Sequence, residues 1–168
     1  MRPTAHLLAG DGVFPGSALP VLVYKGAVPL PRRDPPIGFE TIFAHNGWAG
    51  TWRNGLYTFD HYHSTAHEVL GIAGGIAQVR LGGEQGITVD VAAGDVLVIP
   101  AGVAHKNIAS SDDFRVVGAY PAGTAPDLCF GKPEERPTTD RNVARLGLPI
   151  DPLEGAGGPL VELWTPHR

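Results

Sequence analysis

The chain has 168 residues, 43% of them apolar, which is enough for one buried core and too little for two independent ones. A net charge of −4 without a Lys/Arg cluster offers no field for a nucleic-acid backbone or an anionic lipid surface, and the longest apolar runs fall far short of a membrane span. The single Cys129 can form no internal disulfide and Met1-Arg-Pro-Thr opens no secretory signal, so the chain reads as a cytosolic protein with Cys129 as a small apolar filler.

Gly (23) and Pro (16) are spread without a short repeat, the pattern of many tight turns and therefore many short strands. Near the N-terminus, Val21-Leu-Val-Tyr24 reads as a short β segment able to pair with a sheet edge. Asp34-Pro-Pro followed by Ile37 to Gly47 predicts a helix with Asp34 as its cap and Asn46-Gly47 as its stop; Phe39, Ile42 and Phe43 share the face that should lie on a sheet. From Trp52 to Tyr120 the pattern changes to short β-branched or aromatic runs between Gly-containing breaks, predicting strands near 52–63, 67–73, 76–81, 86–91, 95–99, 103–109 and 114–120. No helical period lies between them to supply parallel crossovers, so the fold class is all-β, a sandwich or barrel. The chain divides into an N-terminal arm and helix (1–51), a barrel core (52–120) and covering segments of the same domain (121–168), the last irregular except for Gly158–Trp164, which could dock as an edge strand.

The chemistry is concentrated in Gly55-Leu-Tyr-Thr-Phe-Asp-His61-Tyr-His63-Ser-Thr-Ala-His67-Glu68. On a strand, His61 and His63 project from one face together with Tyr57 and Phe59, and two imidazoles aimed at one point suggest a metal. If the chain turns over Ser64-Thr-Ala66, Glu68 offers a carboxylate beside the pair, and Gly94-Asp-Val-Leu-Val-Ile-Pro100-Ala-Gly102-Val-Ala-His105 delivers one more imidazole from across the barrel. His67 turns away from Glu68 on this reading, and is assigned to outer support of the site or to the surface rather than to ligation. Tyr57, Phe59 and Asn107 should point inward, where they either shape a substrate pocket or fill space. Arg80 and Gln78 are read as ordinary strand residues, Trp52 and Trp164 as packing, and Lys132-Pro-Glu-Glu-Arg136 as a solvated loop.

The first of these segments resembles the first motif of the cupin family: Gly, five residues, His-x-His, four residues, Glu, six residues, Gly, filled here by Gly55, His61, His63, Glu68 and Gly75. The second is similar to the family's second motif through Gly94, Pro100, Gly102 and His105; the Asn often found four residues after the last His is Ala109 here, with Asn107 offset by two. The resemblance implies a single-domain jelly-roll barrel, or double-stranded β-helix, with a short N-terminal helix and arm, associated as a homodimer. It also implies one divalent transition metal (Fe, Mn, Ni or Zn) on His61, His63, Glu68 and His105. Such a site suits a metal-dependent enzyme acting on a small carboxylate, carbonyl or sugar by dioxygenase-like or isomerase/lyase chemistry, or else a non-catalytic small-molecule binding or sensing module.

Overall fold

The computed structural model describes residues 1–166. Among these described residues, nine strands and three α-helices follow in the order β1 (Thr4–His6), β2 (Val21–Tyr24), α1 (Pro36–His45), β3 (Trp48–Asn54), β4 (Glu68–Gly74), β5 (Ile76–Leu81), β6 (Ile87–Ala92), β7 (Val96–Ile99), β8 (His105–Ser110), β9 (Arg115–Pro121), α2 (Thr138–Arg145) and α3 (Pro159–Trp164). A six-stranded sheet in the order β1-β2-β7-β4-β9-β3 faces a three-stranded sheet in the order β6-β5-β8, and the strand pairs are antiparallel. This is the all-β architecture that the turn spacing predicted, in the jelly-roll form that the resemblance implied, with the N-terminal arm pairing at the edge of the large sheet through β2 and β7.

The strands β2, β4 and β7 read as continuous apolar runs because the large sheet is covered on both faces. Leu70, Ile72, Leu97, Ile99 and Val116 meet Ala77, Val79 and Leu81 between the sheets, while Val69, Val96, Val98, Val117 and Ala119 pack outward on Phe39, Phe43, Trp48, Leu160 and Trp164. Two strand glycines exist because aromatic rings lie on them. A Cβ on Gly71 would come within 2.4 Å of the Phe39 ring, and one on Gly118 within 2.1 Å of the Trp52 ring. Gly71 thus seats α1 outside the sheet, and Gly118 seats Trp52 at the site.

Four expectations are corrected. The strand predicted over 52–63 is β3, which ends at Asn54; residues 55–67 leave the sheet and keep only isolated bridges, His61 to His105 and Tyr62 to Cys129. Asp34 does not cap α1, whose cap position is Pro35 without a side-chain bond; both Asp34 carboxylate oxygens are held by Arg53, at 2.6 and 3.0 Å. Gly158–Trp164 forms α3 rather than an edge strand, because Pro159 suits a first helical turn and Leu160 and Trp164, four residues apart, bury one face. The segment after Pro121 also contains α2 and a 3₁₀ turn at Pro133–Glu135 where irregular chain was expected.

The C-terminal segment is fastened by one carboxylate. Asp151 is fully buried and accepts hydrogen bonds from the Tyr24 hydroxyl (2.5 Å) and from the backbone N–H groups of Leu153, Glu154 and Leu160. Removing it leaves four donors without their acceptor, those of Tyr24 and Leu160 in buried bonds, so Asp151→Ala should destabilise the protein by about 3 kcal/mol and lower Tm by roughly 6–12 °C. A thermal melt followed by circular dichroism measures this, and an unchanged Tm contradicts the role assigned to Asp151.

Candidate metal centre

His61 and His105 exchange both backbone hydrogen bonds across their bridge (3.2 and 2.9 Å), which places the two side chains on one face with ring centroids 4.1 Å apart. Beyond the outward-turned Tyr62, His63 returns to that face, its carbonyl held by the Gly102 N–H. The ligand-capable atoms of His61, His63 and His105 lie within 4.8 Å of one another. Glu68, the first residue of β4 and on the inward face of that strand, completes the group: its Oε1 is 3.0 Å from His105 Nε2 and its Oε2 is 3.5 Å from His63 Nε2. The four residues assigned from the sequence are therefore brought together, all buried.

The hydrogen bonds on the far side of the rings fix their tautomers. Nδ1 of His61 faces the Phe59 carbonyl (3.1 Å), that of His105 faces the Val103 carbonyl (3.1 Å), and that of His63 faces the Asp127 carbonyl. A carbonyl only accepts, so each Nδ1 carries its proton and each neutral ring offers a bare lone pair at Nε2. Two such lone pairs facing the Glu68 carboxylate repel it unless a cation lies between them. A proton can relieve one contact; a divalent ion relieves all of them at once, and the N₃O donor set is one that borderline transition metals accept.

Protonation tendencies without a metal differ among the four groups, with His63 inclined to take the proton that relieves its contact with Glu68 and His61 held neutral. Burial, then the neighbouring His105, pulls His61 down to about 3, so it stays neutral. Burial alone would raise Glu68, but His105 and His63 outweigh it and hold the carboxyl well below its usual range. For His63, burial pulls downward while the hydrogen bond and charge of Glu68 pull upward and prevail.

A cavity of about 460 Å³ opens onto His61, His63 and Glu68. Its walls are Trp52, Leu56, Tyr57, Tyr120, Pro126 and Leu128. Trp52 Nε1 donates to the Tyr120 hydroxyl (2.8 Å), and burial followed by the Glu68 charge pushes that phenol upward, so it remains a neutral donor. The one cation of the lining, Arg53, is already paired with Asp34 and Glu40, each at 2.6 Å.

The remaining sequence candidates are placed differently. Tyr57 lines the cavity but at its mouth, 52% exposed and stacked on Phe59 at 4.8 Å; Phe59, 41% exposed, sits on the rim outside the lining. Neither fills the interior, because the chain has left the sheet there. Asn107 is buried but lies away from the cavity, its side-chain amide donating to Ser110 Oγ at 3.0 Å. His67 is buried, its Nδ1 accepting from the Ala101 N–H (2.9 Å) and its ring packed on Trp164, apart from the other three imidazoles. Arg80 pairs with Asp60 at 2.5 Å, and Gln78 is exposed. Sequence reasoning missed Trp52 as a pocket wall, Tyr120 and Asp127. Tyr120 was recoverable from its alternation with Val116 and Gly118 on β9; nothing local marks Asp127.

A family model described as Cupin domain matches residues 52–118. The uncharacterized protein YjlB of Bacillus subtilis (strain 168) is 39% identical over 162 residues, covering 95% of each chain. Among solved structures, the acireductone dioxygenase of Bacillus anthracis, described with a cadmium ion in its active center, is 18% identical and covers 68% of this chain and 79% of its own at a TM-score of 0.40. RmlC of Streptococcus suis, in complex with dTDP-D-xylose, is 16% identical and covers 82% and 75% at a TM-score of 0.37.

Cys129 is buried beside this site, and burial followed by the Asp127 carboxylate pushes its thiol up to about 12. The reactive thiolate is therefore scarce near neutrality. Iodoacetamide at pH 8 should leave Cys129 unmodified in the folded protein and alkylate it after denaturation, as read by intact mass; prompt alkylation of the native chain contradicts this placement.

Proposed function

The chain belongs to the cupin family, and from that premise we propose that it is a metal-dependent cupin whose centre is held by His61, His63, His105 and Glu68. The observation that carries the reading is the convergence of three carbonyl-oriented imidazoles and one carboxylate, of which His61, His63 and Glu68 face a cavity. The ion is a divalent transition metal of the Fe, Mn, Ni or Zn kind, and the four protein donors leave coordination positions open toward the cavity. When bound, it supplies Lewis acidity toward a carbonyl or carboxylate oxygen, or redox chemistry if it is iron.

The protein's own groups define what a substrate meets. Trp52, Leu56, Tyr57 and Leu128 form a largely apolar wall that excludes water from the floor. Tyr120, held through its oxygen by Trp52, presents its O–H toward Glu68 and the centre, where a substrate oxygen competes with that carboxylate for it. Because Arg53 is neutralised by two carboxylates, an oxygen-bearing substrate relies on the centre and on Tyr120 for its polar contacts rather than on a basic side chain. These features suit a small carboxylate, carbonyl compound or sugar, transformed by dioxygenase-like or isomerase/lyase chemistry. The reading extends to a homodimer, supported by family membership, and to the cytoplasm, supported by the free Cys129. Among the described residues no helix is long and apolar enough to cross a membrane.

Elemental analysis of protein prepared without chelator should find near-stoichiometric metal, falling to about one-tenth or less in the His61→Ala, His63→Ala double variant and staying unchanged in His67→Ala. Loss of the metal in His67→Ala alone contradicts the ligand set. Titration of metal-loaded protein with small carboxylates and sugars should show binding that disappears with the metal and weakens roughly three- to ten-fold in Tyr120→Phe. Binding without turnover of any ligand favours a sensing module over an enzyme, and equal binding to metal-free protein overturns the proposal.

A further inference from the structure

The three imidazoles are oriented in two different ways. His61 and His105 donate to the carbonyls of Phe59 and Val103, each two residues earlier in the chain, so their orientation is contained in their own local segments. His63 donates to the carbonyl of Asp127, 64 residues away and outside the 52–118 span of the family match. One histidine of the centre is set by a segment that the two motifs do not include.

That segment is clasped to residues 62–65 along its length. Tyr62 and Cys129 exchange both backbone hydrogen bonds, at 3.0 and 2.9 Å. The Asp127 carboxylate accepts from the Ser64 N–H (2.6 Å), the Thr65 N–H (3.2 Å), the Ser64 hydroxyl and the Cys129 thiol (3.3 Å). In return, Thr65 Oγ1 accepts from the Asp127 N–H at 2.9 Å and donates to the Ala125 carbonyl at 2.6 Å. Pro126, Asp127 and Leu128 also line the cavity.

We infer that Asp127 is a positioning residue of the centre: its carboxylate locks the Ser64-Thr65 turn to the 125–129 segment and so holds the carbonyl that aims His63. This inference rests on the metal reading above. It has a functional corollary, since the segment that meets a ligand at Pro126 and Leu128 is also the one that sets His63; the shape of a ligand at the mouth is thereby coupled to the geometry of the centre. An outer partner that fixes a ligating histidine typically contributes 10–100-fold in metal affinity, so about that loss is expected on removing the clasp.

The test is cobalt(II) titration of apo full-length protein, following the visible ligand-field bands and the dissociation constant in wild type, Asp127→Ala, Asp127→Asn and Ser64→Ala. Asp127→Ala should weaken cobalt binding about 10–100-fold and shift its bands, whereas Asp127→Asn, which keeps an oxygen for the two backbone N–H groups, should recover most of both. Ser64→Ala, which removes the hydroxyl's donation to Asp127 together with the contact it accepts from Asn142 Nδ2 (3.0 Å) and leaves the carboxylate, should move both readouts in the same direction by a smaller amount. A purely structural role would lower Tm without altering the bands of the cobalt that binds. Wild-type bands and affinity in Asp127→Ala, or in Ser64→Ala should Asp127→Ala fail to fold, overturn the inference alone; wild-type protein that takes up no cobalt overturns the metal reading and this inference with it.

Discussion

A buried carboxylate facing imidazole nitrogens that have committed their protons elsewhere is the constraint on which the rest of this structure depends. Glu68 sits within 3.5 Å of two Nε2 atoms whose rings spend Nδ1–H on backbone carbonyls. With neither a proton nor a metal ion between them this arrangement is repulsive and costly to bury; a proton on His63 relieves part of it, and a metal gives each charge and lone pair a partner. The fold has to hold four such groups against their mutual repulsion and against solvent, and much of its architecture bears on that task.

The large sheet does so by being buried on both faces. Its inner face carries Glu68, Leu70 and Ile72 in alternation, so the register that buries Leu70 and Ile72 also aims Glu68 at the histidines. A one-residue slip would turn Glu68 outward and bring Val69 in. The outer face needs a cover, supplied by Phe39 and Phe43 of α1 and by Leu160 and Trp164 of α3. Asp151 fastens the second of these covers to Tyr24, and Trp164 in turn packs on His67, which braces Ala101 just before the His105 turn. Stability and site geometry are therefore linked through the C-terminal segment rather than independent of each other.

Much of this was legible in the sequence, for identifiable reasons. Strand and turn positions between Trp52 and Tyr120 followed from β-branched runs and Gly breaks, and the placement of His61, His63, Glu68 and His105 together followed from side-chain alternation and motif spacing. The failures share a cause: they concern residues whose conformation is decided by distant partners. Asp34 looked like a cap, but Arg53 claims its carboxylate. Residues 55–63 looked like a strand, yet the loop over the cavity leaves Tyr57 and Phe59 exposed at its rim. Leu160 and Trp164 have helical spacing, but an apolar run this short has the same pattern as an edge strand. Asp127 carries no local signal at all, since its importance lies in contacts with residues more than 60 positions earlier.

The electrostatics of the site are balanced if these four side chains share a single metal ion. A crystal structure of protein reconstituted with zinc or manganese, with anomalous differences recorded at the metal edge, tests it most directly. One dominant anomalous peak is expected within bonding distance of Nε2 of His61, His63 and His105 and of a Glu68 carboxylate oxygen. An empty cluster with the metal bound elsewhere, or a peak coordinated through Nδ1 atoms or His67, would contradict it.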